Sequence, residues 1–520
     1  MTKKTLSTEL FLNEKAVIIF LSFVQFFLLF VVITQYGYFR DELYYIACSD
    51  HLAWGYVDHP PLSIAIMAVI RSLLGDSLTA IRLPVSIASA LIVFLTGLMV
   101  RSMGGKRFAQ VLACLAVMAA PVLQGVGRFF SMNAFDILFW ALAFYILILI
   151  FKNDNRKLWF LFGVVAGLGL LNKYSMGFLG IGLLVGLILT KERKYFADKW
   201  LWIGGAAALL LFLPHITWEY VHGFPSLEFM RNASEHKNLP VTPIQFLLGQ
   251  FLAGNYVNIP IWLAGLYFFF FHTDGKKYRV FGWMTAVIFL IFVMNNSKLY
   301  YFSPLFPVLL AGGAIMTEKI FEAIRWKWLK PVYISIVIIG GLVILPFVVP
   351  VLPVEKFVKY QDFLGIKPPQ EEHSTVGILP QYYADQFGWE EMAELFAKIY
   401  HSLPVDDRSD CLIFTRNYGE AAAIDFFGKK YNLPKATCGH NSYWMWGPPK
   451  WNGRAAIIIG NSRDIQKSIE EEKKHFNEVI LAGVTKSVYA MPYENNRAVL
   501  VCRGAKFQLK DIWNDERHYE

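Results

Sequence analysis

Apolar residues come in blocks along the first two thirds of the chain and thin out after about residue 350. An α-helix rises 1.5 Å per residue, so about 20 apolar residues cross a hydrocarbon layer about 30 Å thick. On that criterion the blocks predict spanning helices over 16–36, 78–100, 108–126, 134–151, 158–173, 175–190, 200–216, 246–271, 280–295, 301–317 and 331–352, about 11 in all. The fifth and sixth are short for a span. The first block exceeds the core of a secretory signal and lacks a small-residue cleavage site, so it reads as a retained span.

The polar segments between the blocks alternate in character. Lys3, Lys4 and Lys15 precede the first block. Arg101, Lys106 and Arg107, then Lys152, Arg156 and Lys157, then Lys191, Arg193 and Lys194 fill every second connection, and Lys276, Lys277, Arg279, Lys319, Arg325, Lys327 and Lys330 continue the series. Basic loops stay in the cytoplasm. The N-terminus is therefore expected in the cytoplasm of a plasma (inner) membrane, and an odd number of spans leaves the C-terminal region extracytoplasmic. Two connections expected on the outer side are long, 37–77 and 217–245. The first carries Pro60-Pro61 and a weakly amphipathic stretch suited to helices lying on the membrane surface.

After Pro353 short apolar runs at 411–415, 455–460, 478–483 and 498–502 alternate with helical patterns at 420–431 and 464–476. That alternation predicts a small α/β domain. The expected division is 1–352, a mainly α membrane domain that includes loop 37–77, and 353–520, a soluble extracytoplasmic domain. No GxGxxG or GxxxxGK[ST] fingerprint and no solenoid repeat is present.

Composition agrees with this layout. The 520 residues are 55% hydrophobic and 17% charged, with a mean hydropathy of +0.41. Soluble domains hold about 25% charged residues. The net charge of +9 sits in the short basic connections, which points to a lipid bilayer as partner and not to nucleic acid. Of five cysteines none forms a CxxC pair, and Cys411 and Cys438 either bridge in an oxidising compartment or remain separate buried thiols.

Ionisable chemistry concentrates just after the first block, in FRDELYYIACSDHLAWGYVDHPPL, residues 39–62. Arg40, Asp41, Glu42, Asp50, His51, Asp58 and His59 stand beside Tyr44, Tyr45, Trp54 and Tyr56. Residue types alone leave two readings open, a functional site at the mouth of a membrane domain and a solvated interfacial helix with an aromatic belt.

The order of these residues resembles the first outer loop of GT-C class membrane glycosyltransferases, on the bacterial branch related to protein O-mannosyltransferases and the lipid A aminoarabinose transferase. The similar features are the acidic pair Asp41-Glu42, Tyr45 four residues after the first acid, and the ending Tyr56-Val57-Asp58-His59-Pro60-Pro61-Leu62. Residues 131–136 (SMNAFD) look like the second outer loop with its further acid, 167–174 (GLGLLNKY) like the Gly-rich segment ending in Lys, and 298–304 (KLYYFSP) like the late outer-loop motif. Residues 416–420 (RNYGE) and 439–444 (GHNSYW) look like the soluble domain of one bacterial subgroup.

The resemblance implies a GT-C fold and transfer, with inversion, of a sugar from a polyprenyl-phosphate donor to an extracytoplasmic acceptor. Phosphate leaves readily, whereas an alcohol needs a positioned base. On this resemblance Asp41 is the base. Glu42 either orients the site or is a helix N-terminal charge. Asp136 either binds sugar or acceptor or caps its span. Tyr45, Tyr56 and His59 are the motif-matched candidates for the donor phosphate. His59 departs from the aminoarabinose branch, which has Lys there, so Arg128, Lys173 or Lys298 is a further source of positive charge, against membrane-interface snorkelling as the alternative. Tyr300 and Tyr301 read first as aromatic belt, with Tyr301 the better site candidate of the two. No ligand spacing specifies a metal, and neither metal nor cofactor is expected. The competing function class is a polytopic transporter, which places its charges at the bilayer midplane and often carries inverted repeats.

Overall fold

The computed structural model describes residues 14–325, 327–368, 370, 373 and 375–520; Lys3 and Lys4 of the basic series lie outside the described residues. The chain forms two compact units. One comprises the chain up to Gln35, Thr79–Thr217 and Pro240–Phe357; the other comprises Tyr36–Leu78, Trp218–Leu239 and Val358–Glu520.

The first unit is a helical bundle. Six helices among the described residues are long and apolar enough to cross a membrane: Leu78–Ser102, Met132–Asn153, Lys199–Val221, Lys276–Met294, Leu299–Ala323 and Leu329–Val348. Other expected spans form shorter apolar helices, Lys15–Phe30, Arg107–Ala119, Leu158–Asn172 and Met176–Ile188. The run expected at 246–271 is two helices, Pro243–Ala253 and Tyr256–Phe270. Its break falls at Asn255, whose φ is +75°, a conformation Asn tolerates better than most residues. A backbone opened inside an apolar bundle must have its polar groups satisfied. The break serves that need for a neighbour: Asn255 Nδ2 donates to Ala119 O and Asn258 Nδ2 to Ala116 O, both at 2.9 Å, at the end of the helix Arg107–Ala119. That helix stops because Ala120 turns extended before Pro121.

Small residues let two helices of this unit meet backbone to backbone. A Cβ on Gly163 would run into the carbonyl of Gly204, and one on Gly204 into the carbonyl of Trp159. One turn further on, Gly167 faces Ala208. This small-xxx-small pairing is the usual way for membrane helices to gain dispersion contact, since lipid is as apolar as leucine.

The second unit contains the helices Arg40–Ser49 and Leu62–Leu74, both from loop 37–77, and a five-stranded sheet. The strands are β1 (Cys411–Phe414), β2 (Ala436–Thr437), β3 (Ala455–Ile459), β4 (Phe476–Val484) and β5 (Ala498–Ala505), in the order β2-β1-β3-β5-β4. β2, β1 and β3 run parallel, and β5 and β4 pair antiparallel. Leu412, Phe414, Ala456, Ile458 and Leu500 pack with Phe476 and Trp513 in its core. All five cysteines are buried free thiols. The register explains why Cys411 and Cys438 do not bridge. Phe414 pairs with Thr437, so Cys438 lies opposite Thr415, four residues beyond Cys411. At about 3.3 Å per residue that separation is about 13 Å, roughly twice what a disulfide spans.

Candidate active site

The helix Arg40–Ser49 begins after Phe39, whose backbone is extended. Phenylalanine has no side-chain acceptor, so only half of a capping box forms: Phe39 N donates to Glu42 Oε2 at 2.9 Å. Glu42 is fully buried. Its carboxylate therefore serves the helix N-terminus, where negative charge is favoured.

Asp41 points differently. Its side chain is 36% exposed, with Oδ1 3.7 Å from Arg40 Nε. The same oxygen accepts a hydrogen bond from the Tyr418 hydroxyl at 3.0 Å. Arg40 is braced from several sides. Its backbone N donates to Asp385 O at 3.0 Å, Nη1 donates to the Tyr493 hydroxyl at 2.7 Å, and Nη2 lies 3.7 Å from Asp385 Oδ2. Tyr418 opens the helix Tyr418–Phe427, which has a complete capping box: Glu420 N donates to Asn417 Oδ1 at 3.0 Å and Asn417 N to Glu420 Oε2 at 3.3 Å.

A second acid stands nearby in the same unit. The Tyr44 hydroxyl is 3.0 Å from Asp58 Oδ1 and 2.8 Å from Ser442 Oγ. With one proton, it donates to the carboxylate and accepts from the serine; Ser442 N also reaches it at 3.2 Å. Burial pushes the Asp58 carboxyl above its usual range, against the opposing pull of His59 and of the Tyr44 hydrogen bond. His59 is fully buried among aromatic rings, 4.7 Å from Tyr45 and 5.0 Å from Tyr56 between centroids. Its Nδ1 donates to Pro60 O at 3.1 Å, which turns Nε2 toward Asp58 Oδ1, 3.8 Å away. The Tyr56 hydroxyl accepts from Ala53 N at 3.2 Å and faces the carbonyls of His51 and Cys48, so it ties the loop to itself.

Asp136, Lys173 and Tyr301 meet in the other unit. Asp136 lies one turn inside the helix Met132–Asn153; Ser131 caps that helix, its Oγ accepting from Asn133 N at 3.3 Å. Asp136 Oδ1 accepts from Ser175 Oγ at 2.5 Å, and Oδ2 lies 3.8 Å from Lys173 Nζ. Lys173 Nζ donates to Asn133 Oδ1 at 2.7 Å and sits 5.2 Å and 5.0 Å over the rings of Tyr300 and Tyr301. Cation–π contact and a carboxylate together hold the ammonium in one place. Lys298 precedes the turn Leu299–Leu305 and is half-buried. Arg128 is buried, its guanidinium 5.1 Å from the Phe129 ring. A cavity of about 490 Å³ bounded by Lys15, Arg101, Tyr145 and Lys152 touches none of these residues.

Sequence reasoning placed Asp41, Glu42, Tyr45, Tyr56 and His59 in one stretch, and they share one unit. It did not nominate Asp58, Tyr44, Tyr418 or Ser442. Asp58 was inside the quoted loop motif, and Tyr418 and Ser442 were inside the two quoted C-terminal stretches; the missing signal was their contact with the loop.

The chain superposes on the crystal structure of ArnT from Cupriavidus metallidurans bound to undecaprenyl phosphate with a TM-score of 0.60 over 93% of this chain and 97% of that one, at 14% identity. The apo form of ArnT gives the same TM-score and coverage at 13% identity. The archaeal oligosaccharyltransferase AglB from Archaeoglobus fulgidus, in complex with an inhibitory peptide and a dolichol-phosphate, scores 0.45 at 9% identity over 86% of this chain and 69% of that one, too low to define a shared fold. The chain thus shares the fold of ArnT, mainly helical with several apolar helices and a small C-terminal sheet domain. Within it, residues 58–218 match the family described as dolichyl-phosphate-mannose-protein mannosyltransferase. No curated protein matches the sequence.

Proposed function

We propose that this protein transfers a sugar from a polyprenyl-phosphate carrier to an acceptor hydroxyl on the extracytoplasmic face, with inversion, and that Asp41 is the general base. The observation that carries the reading is the state of Asp41: a part-exposed carboxylate with one oxygen held by Tyr418, in a loop where the other acids are engaged. A base must reach the proton it takes while keeping a fixed direction. Glu42 is held at a helix terminus, Asp58 by Tyr44, and Asp50 and Asp76 by Arg71, which leaves Asp41 as the acid open to an incoming alcohol.

The chemistry needs one carboxylate. The acceptor oxygen attacks the anomeric carbon as the carbon–phosphate oxygen bond breaks; its proton passes to Asp41, and the lipid phosphate leaves as an anion needing no acid. A hydrolase would need a second carboxyl flanking the bond. Lys173, fixed by Asn133, Asp136 and the Tyr300 and Tyr301 rings, is suited to meet an anionic phosphate, and Asp136 directs it. His59, Tyr45 and Tyr56 shape the loop beside the acids. Arg128 and Lys298 remain second candidates for phosphate charge.

The test is turnover of the full chain in lipid nanodiscs with a panel of undecaprenyl-phosphate sugars, read as release of undecaprenyl phosphate. Asp41→Asn is expected to lower the rate at least about 100-fold while leaving the protein folded. An Asp41→Asn protein that turns over like the parent overturns the assignment.

A further inference from the structure

The two C-terminal stretches singled out in the sequence each bring one hydroxyl to the first long loop, one directly to an acid and one to the tyrosine that holds another acid. Tyr418, from 416–420, donates to Asp41, and Ser442, from 439–444, holds the Tyr44 hydroxyl that donates to Asp58. We infer that the C-terminal domain is a working part of the acceptor-activating centre, with Tyr418 as the residue that positions the Asp41 carboxylate. The inference rests on the reading of Asp41 as the base.

The geometry of Tyr418 fits a fixed support. Its ring packs against Tyr44 with centroids 4.5 Å apart and against His440 at 4.8 Å, and the Arg40 guanidinium lies 5.5 Å from its centroid. The ring cannot swing without breaking all three contacts. Its backbone is set by the Asn417–Glu420 cap, one residue before it. Burial also keeps the phenol from ionising, so it remains a donor across the working pH range.

An aspartate exposed by a third of its surface would otherwise sample several rotamers. Fastening Oδ1 leaves the carboxylate one direction, with Oδ2 for the acceptor proton. A misplacement of about 1 Å at a reacting group costs on the order of 100-fold in rate. Deleting one hydroxyl 3.0 Å from the base should therefore slow the chemical step and spare substrate binding.

Tyr418→Phe keeps the ring and removes the donor. With whichever undecaprenyl-phosphate sugar the panel identifies, kcat is expected to fall about 10- to 100-fold with KM for donor and acceptor within about twofold. Adding Tyr418→Phe to Asp41→Asn should cause no further loss. A readout independent of turnover uses 3-fluorotyrosine at position 418 of the full chain in nanodiscs: Asp41→Asn should move its fluorine resonance, while Glu391→Gln, at an exposed position, should not. A Tyr418→Phe enzyme with kcat within about twofold of the parent, beside an inactive Asp41→Asn, overturns this inference alone. A fluorine resonance indifferent to Asp41→Asn also overturns it. An active Asp41→Asn protein removes the base assignment itself, which is a different result.

Discussion

Asp425 accepts hydrogen bonds from Ala436 N at 2.8 Å and from the Tyr443 hydroxyl at 2.9 Å, yet burial pushes its carboxyl up to about 6. An aspartate in an unfolded chain titrates near 3.9. The folded state therefore holds the proton to higher pH. The associated stability is full below about pH 4 and is lost as pH rises through about 6, roughly 3 kcal/mol in all. Asp425→Asn keeps an acceptor for Ala436 N and never ionises. Its melting temperature relative to the parent should rise between pH 4 and pH 7, measured by calorimetry on the full chain; a difference that is the same at both pH values would contradict this. The same scale shows what could be read in advance. Asp41 was legible because its partners in the motif are neighbours in sequence. Tyr418 was quoted, but its donation to Asp41 joins residues 377 apart, and no local pattern encodes a choice of partner at that distance.

At the scale of elements, the alternation of apolar and polar runs recovered four of the five strands and the helices that follow β1 and β3. β2, two residues long, carries too little pattern to see, and the amphipathic helix Trp389–Ser402 went unmarked. The apolar runs coincide with helices, but their continuity was not legible, because a single Asn255 or Pro121 breaks a helix without interrupting the apolar run. The start of the helix Arg40–Ser49 offers a test of such a local device. Glu42→Gln retains an acceptor for Phe39 N and should lower turnover less than about fivefold. Glu42→Ala leaves that N–H without its partner and should destabilise the protein by about 1 kcal/mol, seen as a lower thermal midpoint. Equal midpoints for the two variants would argue against the cap.

At the scale of the whole molecule, the sequence suggested a boundary near residue 352, whereas the compact units each draw on three separate stretches. Composition marks where apolar surface ends; it carries no record of which loop folds with which domain. The bundle's own integrity depends on close helix approach. Gly204→Leu would drive a side chain into the backbone at Trp159, and overpacking of that kind costs about 1–3 kcal/mol or more. The variant is expected to lose its monodisperse elution in detergent; normal elution with an unchanged midpoint would show that the helices can part freely.

The long separation between Asp41 and Tyr418 also has a meaning in time. Synthesis at about 5–20 residues per second puts roughly 20–75 s between the emergence of the two. During that interval the nascent polypeptide already exposes its acidic loop, with no phenol yet made to hold it. On the proposed role of Asp41, a chain released early by the ribosome would carry the acid without its support, so competence would come only with completed translation.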